Sequence, residues 1–196
     1  LFYNIYSMID PTKITNFNST DNELEEVLLF WVLVAGKNAS TISKALEKTL
    51  NSLKGSTPFE KIRGVGKNNL PNLLKDHGIG CYSIKARALW ELVNSNLNLR
   101  TCSVDDLEKI YGIGSKTSRC FLIHSRPNMQ YAALDTHILK YLRDSGRIVP
   151  KATPSSKKLY RKFEKIFLDD ADYYGKSVAQ FDLELWNKYS GGIKNV

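Results

Sequence analysis

The sequence predicts an all-α fold from three observations. Apolar residues recur at helical spacing along most of the chain, as in Leu24, Val27, Leu28, Trp31 and Val34. Residues that favour helix N-termini precede many of these stretches, and glycines and prolines separate them. We therefore expect about ten short helices in one compact unit, since 196 residues suffice for one sizeable core or for two small lobes that share an interface.

Capping residues and chain breakers set the expected start of each helix. Five helices are predicted over residues 22–35, 41–53, 84–94, 104–110 and 116–125, with N-caps at Thr20 or Asp21, Ser40, Ser83, Ser103 and Ser115. Later helices are expected to begin at Asp135, near Ser155 or Ser156 (156–173), and at Lys176, with Pro150, Pro154 and Gly175 as breakers. The glycine pairs at 64/66 and 78/80 are interpreted as turns between helices.

The charge and hydropathy of the chain restrict its partners. The formal net charge of +8 favours an anionic partner, although charge alone does not separate nucleic acid from an anionic membrane or simple solubility. The apolar stretch 27–35 is shorter than the about 20 residues that span a membrane, and no charged start with a cleavage site precedes it. We therefore expect a soluble protein that makes no use of a membrane.

Cysteine usage indicates a reducing, intracellular compartment. The three cysteines, Cys81, Cys102 and Cys120, include no close pair, so neither a disulfide framework nor a four-cysteine metal site is available. Cys120 lies among the apolar residues of a predicted helix and is interpreted as a small core residue.

The most informative segment is a glycine hairpin, GIGSK over residues 112–116, between two short helices in 107–122. The first amides of the second helix have no partner within it, and the aligned peptide dipoles favour negative charge there. The glycines permit positive φ and let phosphate oxygens approach without a Cβ in the way, while Ile113 is expected to point inward. The segment predicts a DNA-phosphate site, with an ordinary helix corner as the alternative. Its expected contacts are Gly112, Gly114, Ser115 and Thr117.

Lys116 falls in the first turn of the second helix. The positive end of the dipole disfavours an ammonium there, so the pKa of Lys116 is expected to fall. A lysine must lose its proton to act as a nucleophile. We interpret Lys116 as a nucleophile at a sugar carbon, with a lysine that reaches out to a phosphate as the alternative.

Asp135 stands at a predicted N-cap, which alone would explain an aspartate and contribute about 1 kcal/mol. Because residues 126–128 end the preceding helix, the chain can fold back and place Asp135 across from Lys116. A carboxylate there would stabilise positive charge at C1′ of a deoxyribose and help to move the lysine proton. His137, in the first turn of the same helix, is either a phosphate contact or a core-edge histidine.

At these residues the sequence resembles the helix-hairpin-helix superfamily of base-excision DNA glycosylases, whose signature is a glycine hairpin, a lysine soon after it and a downstream aspartate. GIGSKT over 112–117 and LDTHI over 134–138 carry the match. The resemblance implies that Lys116 is the nucleophile of a bifunctional enzyme and Asp135 its essential acid. Such enzymes displace a damaged base, form a Schiff base with the sugar and cleave the strand by β-elimination.

The similarity extends from about residue 21 to the end of the chain. Residues 78–92, with Lys85 and Arg87, look like the helix that precedes the hairpin, and Arg87 is expected to contact DNA. VAGKNAS over 34–40 resembles the loop that fills the gap left by a flipped base. Asn38 would be the wedge in that loop, or a plain helix cap, with Lys37 beside it.

The C-terminal part of the chain resembles the compact 8-oxoguanine glycosylases. FDLELW over 181–186, followed by Ser190-Gly191, carries this match, and Asp182 and Trp186 would line the base pocket by hydrogen bonding and stacking. A tryptophan in the core is the alternative for Trp186.

Three departures from the superfamily pattern affect what is expected. No cysteine follows Cys120, so neither an iron–sulfur cluster nor another cofactor or metal is expected. Tyr111 replaces the proline common before the first hairpin glycine, which leaves the hairpin less rigid. The chain ends Lys194-Asn-Val196, whereas the compact enzymes end in a lysine whose carboxylate reads the base, so the identity of the base stays open.

The resemblance implies two helical lobes with a cleft between them. One lobe would be a helical barrel over 23–126 that ends in the hairpin, and the other would combine 1–22 with 127–196. The expected enzyme is a monomeric, intracellular DNA-repair glycosylase and AP lyase that extrudes an oxidised base, 8-oxoguanine first, from double-stranded DNA. Candidates for its basic face are Lys37, Lys67, Lys85, Arg87, Arg119 and Lys140.

Two alternative functions remain at this point. The same scaffold could modify a base in place, as proposed for viruses with hypermodified thymine, with Lys116 acting on a base substituent. A non-catalytic module could instead use the hairpin for unspecific, salt-sensitive phosphate contacts.

Overall fold

A computed structural model describes residues 8–190, which contain ten α-helices, one short 3-10 turn and no strand. The predicted all-α fold is confirmed. After the 3-10 turn Pro11–Lys13, the helices are α1 Asp21–Val34, α2 Ala39–Ser52, α3 Pro58–Val65, α4 Leu70–Asp76, α5 Tyr82–Val93, α6 Val104–Glu108, α7 Ser115–Ser125, α8 Thr136–Asp144, α9 Lys157–Tyr173 and α10 Val178–Tyr189.

Several predicted N-caps are present. Thr20 and Ser103 each form a reciprocal capping box, in which the cap hydroxyl accepts from the third helical amide and an acidic side chain there accepts from the cap amide. Asp135 and Ser156 also cap their helices.

Four predicted helix starts were wrong. α2 is capped by Asn38, whose side chain accepts from the amide of Thr41, instead of by Ser40. α10 begins at Val178, two residues after the predicted start at Lys176, because the Ser177 hydroxyl caps it by accepting from the amide of Gln180.

The other two wrong starts lack a capping side chain altogether. α5 begins at Tyr82 after Cys81, which has a left-handed backbone with φ 57°, instead of at Ser83. α7 begins after Gly114, so Ser115 is its first helical residue and does not cap it.

Two core clusters meet along α7. One cluster contains buried side chains from α1 to α7, including Phe121 and Leu122, and the other contains Cys120, Ile123 and side chains from residue 132 to α10. Because α7 carries the hairpin at its N-terminus, both clusters hold the hairpin in place. Ile14 packs in the first cluster, although the prediction placed residues 1–22 with the second lobe. The lobe boundaries themselves stay a prediction.

The segment before α1 is attached to both α7 and α2. The Thr15 hydroxyl lies 2.8 Å from His124 Nδ1, the Asn16 amide donates to the His124 carbonyl at 3.0 Å, and the Ser43 hydroxyl donates to the carbonyl of Ile9. This segment therefore forms part of the wall around α7.

None of the helices in the described range 8–190 has the length and apolar character needed to cross a membrane.

Candidate active site

The predicted hairpin joins α6 to α7, and its two glycines have different structural roles. Gly112 has φ 79°, and a Cβ there would lie 2.9 Å from the Cβ of Ala88 on α5. Gly114 is extended at φ −100°, and a Cβ there would meet no atom within 4 Å. Conformation and packing thus require glycine at 112 only, and the expected positive φ at 114 was wrong. Ile113 is 3% exposed and points inward, as predicted.

The hairpin is held against α5 by a contact that a proline could not make. The Tyr111 amide donates to Glu91 Oε2 at 3.0 Å, and proline has no N–H to donate. Arg87 lies 3.7 Å from the centre of the Tyr111 ring and pairs with Glu91 at 3.0 Å. Tyr111 therefore ties the hairpin to α5 through a hydrogen bond that a proline at this position could not form. Arg87, a predicted DNA contact, is exposed but is already engaged with these two residues.

The first turn of α7 offers free backbone amides. Gly114 has no side chain to cap the helix, and within the described part of the chain no N-cap side chain accepts from the amides of this turn. Thr117 is buried at 6% exposure, so a role for its side chain in contacting DNA is not favoured. Ser115 and Lys116 are half-buried.

Lys116 and Asp135 line the same cavity, which has a volume of about 660 Å³. This volume lies within the range of about 300–1,000 Å³ typical of small-molecule pockets. The folding back of residues 126–135, expected from the sequence, thus brings the two side chains together.

Asp135 caps α8 with one oxygen only. Its Oδ1 accepts from the amides of His137 at 2.8 Å and Ile138 at 2.9 Å, which leaves Oδ2 outside the cap. Burial raises the pKa of Asp135, nearby Lys116 opposes the shift, and the Asp182 carboxylate adds to it. Capping and a role in the cavity are therefore compatible.

The inner end of the cavity is lined by polar and aromatic groups. His124, only 1% exposed, places its Nε2 3.1 Å from Asp182 Oδ2 and stacks on Trp31 with ring centres 5.6 Å apart. The half-buried Trp186 also lines the cavity. The Nε1 of Trp31 is buried, and no group within residues 8–190 accepts a hydrogen bond from it. Asp182 and Trp186 thus line the same cavity as Lys116 and Asp135, and their role in a base pocket stays a prediction.

Cys120 belongs both to the second core cluster and to the lining of the cavity. It is 4% exposed, and burial raises the pKa of its thiol well above the usual value. The thiol is therefore neutral at ordinary pH, in keeping with the predicted core role.

Three predicted DNA contacts border the cavity: Lys37, Asn38 and His137. Lys37 and Asn38 are exposed, and His137 is half-buried. The Asn38 side chain accepts from the Thr41 amide at 3.0 Å, so the cap alternative is present. A role as a wedge stays a prediction.

A buried polar network connects α7, α9 and the segment before Asp135. Glu164 Oε1 accepts from Arg119 Nε at 2.7 Å and from the Ala132 amide at 3.0 Å. The Tyr160 hydroxyl donates to the Ala132 carbonyl at 2.7 Å and accepts from the Leu134 amide at 3.0 Å. Residues of α9 thus determine where the chain that carries Asp135 runs.

Two members of the predicted basic face are buried. Lys85 is 5% exposed and donates to the carbonyl of Leu33, and burial lowers its pKa. Arg119 is 8% exposed and pairs with Glu108 and Glu164. Both lie on helix faces that pack inward, which spacing along a single helix did not reveal. Lys67 and Lys140 are exposed.

Sequence reasoning missed Trp31 and His124 as cavity residues. Trp31 sits at helical spacing with leucines, so it was counted only among the apolar core positions. His124 carried no motif at all. The signal available in the sequence was a histidine among apolar residues near the end of the helix that begins at the hairpin.

Two sequence features fall outside the described residues. These are Gly191 of the Ser190-Gly191 pair and the terminal Lys194-Asn-Val196. Among residues 8–190, no three His, Cys, Asp or Glu side chains come together as a metal site.

Comparison with known proteins gives sequence relatives over part of the chain. No protein-family model matches. Over 84 residues the chain is 37% identical to the 8-oxoguanine DNA glycosylase/AP lyase of Thermotoga sp. strain RQ2 and 36% identical to that of Thermotoga maritima. The aligned segment is 42% of this chain and 39% of each relative, so the match spans about two fifths of the curated relatives.

Solved structures cover most of the chain. The 8-oxoguanine DNA glycosylase of Thermotoga maritima superposes with a TM-score of 0.73 at 24% identity. The Methanocaldococcus jannaschii 8-oxoguanine glycosylase/lyase, crystallised with a 15mer DNA containing 8-oxoguanine, gives 0.70 at 21%. Each comparison covers 92% of this chain and 87% of the other.

The fold is therefore that of a helical DNA glycosylase. More particularly, it is the fold of the 8-oxoguanine DNA glycosylases, and the resemblance noted in the sequence is confirmed.

Proposed function

We propose that this protein is a DNA glycosylase with AP lyase activity that removes 8-oxoguanine from duplex DNA. The observation that carries the proposal is the cavity that Lys116 and Asp135 share, with Lys116 in the first turn of the hairpin helix. The names of the sequence relatives and the shared fold support the same activity.

The two side chains can perform the displacement of a base. The neutral Lys116 amine attacks C1′ of the flipped nucleotide as the glycosidic bond breaks, and the base leaves with the bonding electron pair and gains a proton. The ionised Asp135 stabilises the positive charge that develops at C1′. Asp135 has an oxygen for this role because both capping bonds use Oδ1.

Strand cleavage follows from the same adduct. Once the lysine nitrogen has lost a proton, the C1′–O4′ bond breaks, O4′ takes the bonding electron pair and gains a proton, and the sugar opens to a protonated Schiff base. Loss of a proton from C2′ then expels the 3′ phosphate by β-elimination. The Schiff base withdraws electrons from C2′, so this step needs no redox partner.

The inner end of the cavity suits a purine with hydrogen-bond donors on one edge. Asp182 offers carboxylate oxygens, which accept from the N1–H and amino group of a guanine. His124 steadies this carboxylate at 3.1 Å. Trp186 offers an aromatic surface for stacking.

The outer edge of the cavity suits the DNA backbone. We assign the phosphate contacts to the amides at Gly114, Ser115 and Thr117 and to the His137 ring, with Gly112 shaping the turn. Lys37 and Asn38 also border the cavity, and Asn38 would fill the space left by the flipped base.

Borohydride trapping tests the proposal. Incubation of the parent with an 8-oxoguanine duplex in the presence of borohydride is expected to give a covalent protein–DNA adduct. Lys116→Ala is expected to give none, whereas the control Lys48→Ala, an exposed change on α2, should trap like the parent. Absence of adduct and of strand cleavage over a panel of damaged bases would overturn the lyase proposal and favour base modification or a binding module.

We also propose that the enzyme needs no cofactor and acts as an intracellular monomer. Excision should then be unchanged in excess EDTA. The rate per molecule should also be independent of protein concentration, and sedimentation should give the mass of one chain.

A further inference from the structure

A basic stripe runs along the N-terminal half of α9. On a helix, residues four apart lie on one face, so residues 157, 161 and 165 form one row and 158 and 162 the next. The opposite face is buried through Tyr160 and Phe163. We call the exposed set the α9 strip; it comprises Lys157, Lys158, Arg161, Lys162 and Lys165.

Most of the cations of the α9 strip are not engaged in ion pairs with other described residues. Lys157 lies 3.7 Å from Glu108, and Lys165 pairs with Asp169 at 2.9 Å. Among the described residues, the other three cations of the strip form no ion pair. The one carboxylate within this stretch, Glu164, is buried and paired with Arg119.

The strip begins beside the hairpin. Lys157, the first residue of the strip, lies 3.7 Å from Glu108 at the end of α6, and on the buried face of the same end of α9 the Tyr160 hydroxyl lies 3.4 Å from the carbonyl oxygen of Ser115. The loop before α9 borders the cavity, where the Thr153 hydroxyl donates to the Leu134 carbonyl at 2.7 Å. From there the strip extends about 12 Å along α9, given the rise of about 1.5 Å per residue.

We infer that the α9 strip binds the phosphates of the DNA flank that leaves the hairpin on one side of the flipped base. The inference rests on the proposed function, because it needs a duplex on the hairpin. Successive phosphates of one strand are about 3.4 Å apart along the duplex axis, so about 12 Å of strip matches about three of them. Lysine and arginine side chains there neutralise phosphates without reading sequence.

The salt dependence of binding tests this inference. The strip variant K158Q/R161Q/K162Q and the parent are titrated against a fluorescent 8-oxoguanine duplex between about 50 and 200 mM salt. The magnitude of the slope of log K against log salt is expected to fall by about 0.9 for each phosphate that the variant no longer neutralises, hence by about 2–3. None of the strip residues lines the cavity, so the expected change is in the salt dependence of binding.

A matched control removes the same charge elsewhere. K44Q/K48Q/K54Q alters exposed lysines on and just after α2, and its slope should stay within about 0.5 of the parental value. Equal decreases in both triple variants would show an effect of net charge alone and overturn the inference, as would a parental slope in the strip variant.

Duplexes shortened on one side of the lesion give a second readout. Shortening one flank should abolish the difference between parent and strip variant, and shortening the other should preserve it. If the parent and the strip variant still differ in salt dependence after either flank is shortened, the strip does not bind the phosphates of one flank. Failure of the parent protein to bind or cleave the full duplex would instead refute the proposed function. That result comes from the parent alone, so it is distinguishable from failure of the inference about the strip.

Discussion

The hydroxyl of Tyr160 accepts from the amide of Leu134 at 3.0 Å, one residue before Asp135. It also donates to the carbonyl of Ala132 at 2.7 Å, and burial raises the pKa of Tyr160, which keeps the hydroxyl protonated as that donor. A side chain from α9 therefore sets the position of the aspartate that shares a cavity with Lys116.

Tyr160→Phe is expected to slow turnover more than it weakens DNA binding. The variant leaves the buried Leu134 amide without an acceptor, which costs about 1–3 kcal/mol of folding stability. A displaced Asp135 should lower kcat by about tenfold to a hundredfold, with the Kd for lesion DNA within about twofold. Tyr173→Phe is the control, because Tyr173 is 83% exposed. A parental kcat in Tyr160→Phe would exclude the positioning role.

Asp182→Asn is expected to move the acid limb of the lyase rate to lower pH. Burial raises the pKa of Asp135, Lys116 opposes this, and the Asp182 carboxylate raises it further. Removing that like charge lowers the pKa of Asp135, so its ionised form persists to lower pH. The rate should be measured on abasic-site DNA, where no base has to be recognised. If the acid limb of Asp182→Asn stays in place or moves to higher pH, the limb does not report the ionisation of Asp135. The control is Asp76→Asn, which changes an exposed residue and should leave the acid limb in place.

The two hairpin glycines are expected to respond differently to alanine. Gly112→Ala places a Cβ 2.9 Å from that of Ala88 at a φ of 79°, and should cost about 1–3 kcal/mol of stability. Gly114→Ala meets no atom within 4 Å and should leave the Tm nearly unchanged. Its methyl would nevertheless occupy the space through which a phosphate approaches, so DNA binding should weaken. Thermal unfolding and fluorescence anisotropy separate the two effects; parental binding by Gly114→Ala would place the phosphate elsewhere.

Glu26→Gln is expected to stabilise the protein at alkaline pH. Burial, with help from Glu23 and Glu47, raises the pKa of Glu26 to about 7. Between its unfolded value and pH 7 the folded state holds the extra proton, so the free energy of unfolding falls as pH rises through this window. The variant removes this loss and should gain on the order of 1–2 kcal/mol at pH 8, and little near pH 4, by urea denaturation.

The neighbouring Glu25 provides the control for this measurement. Its carboxylate accepts from the Phe59 amide at 2.8 Å, so Glu25→Gln should bring no stabilisation at pH 8. A pH-independent effect of Glu26→Gln would refute burial of its charge as the cause.

Local chemistry explains which parts of the fold could be predicted. Helical periodicity, the Thr20 and Ser103 capping boxes and the Asp135 cap depend on residues within a few positions of each other, and each is present. Helices α3 and α4 were not predicted individually, because each is short and has few periodic apolar residues; each carries a proline in its first turn, at Pro58 and Pro71.

In the candidate site too, features set by neighbouring residues could be predicted and features set by packing between helices could not. By itself, the sequence determined the hairpin, with Lys116 in the first turn after it and Asp135 on a cap, because adjacent residues define a turn and a helix end. Tertiary structure decided that Lys85 and Arg119 face inward, that Trp31 and His124 enter the cavity, and that Tyr160 holds the chain before Asp135. These depend on which faces of separate helices meet, and that is set by packing between residues 26 to 109 positions apart.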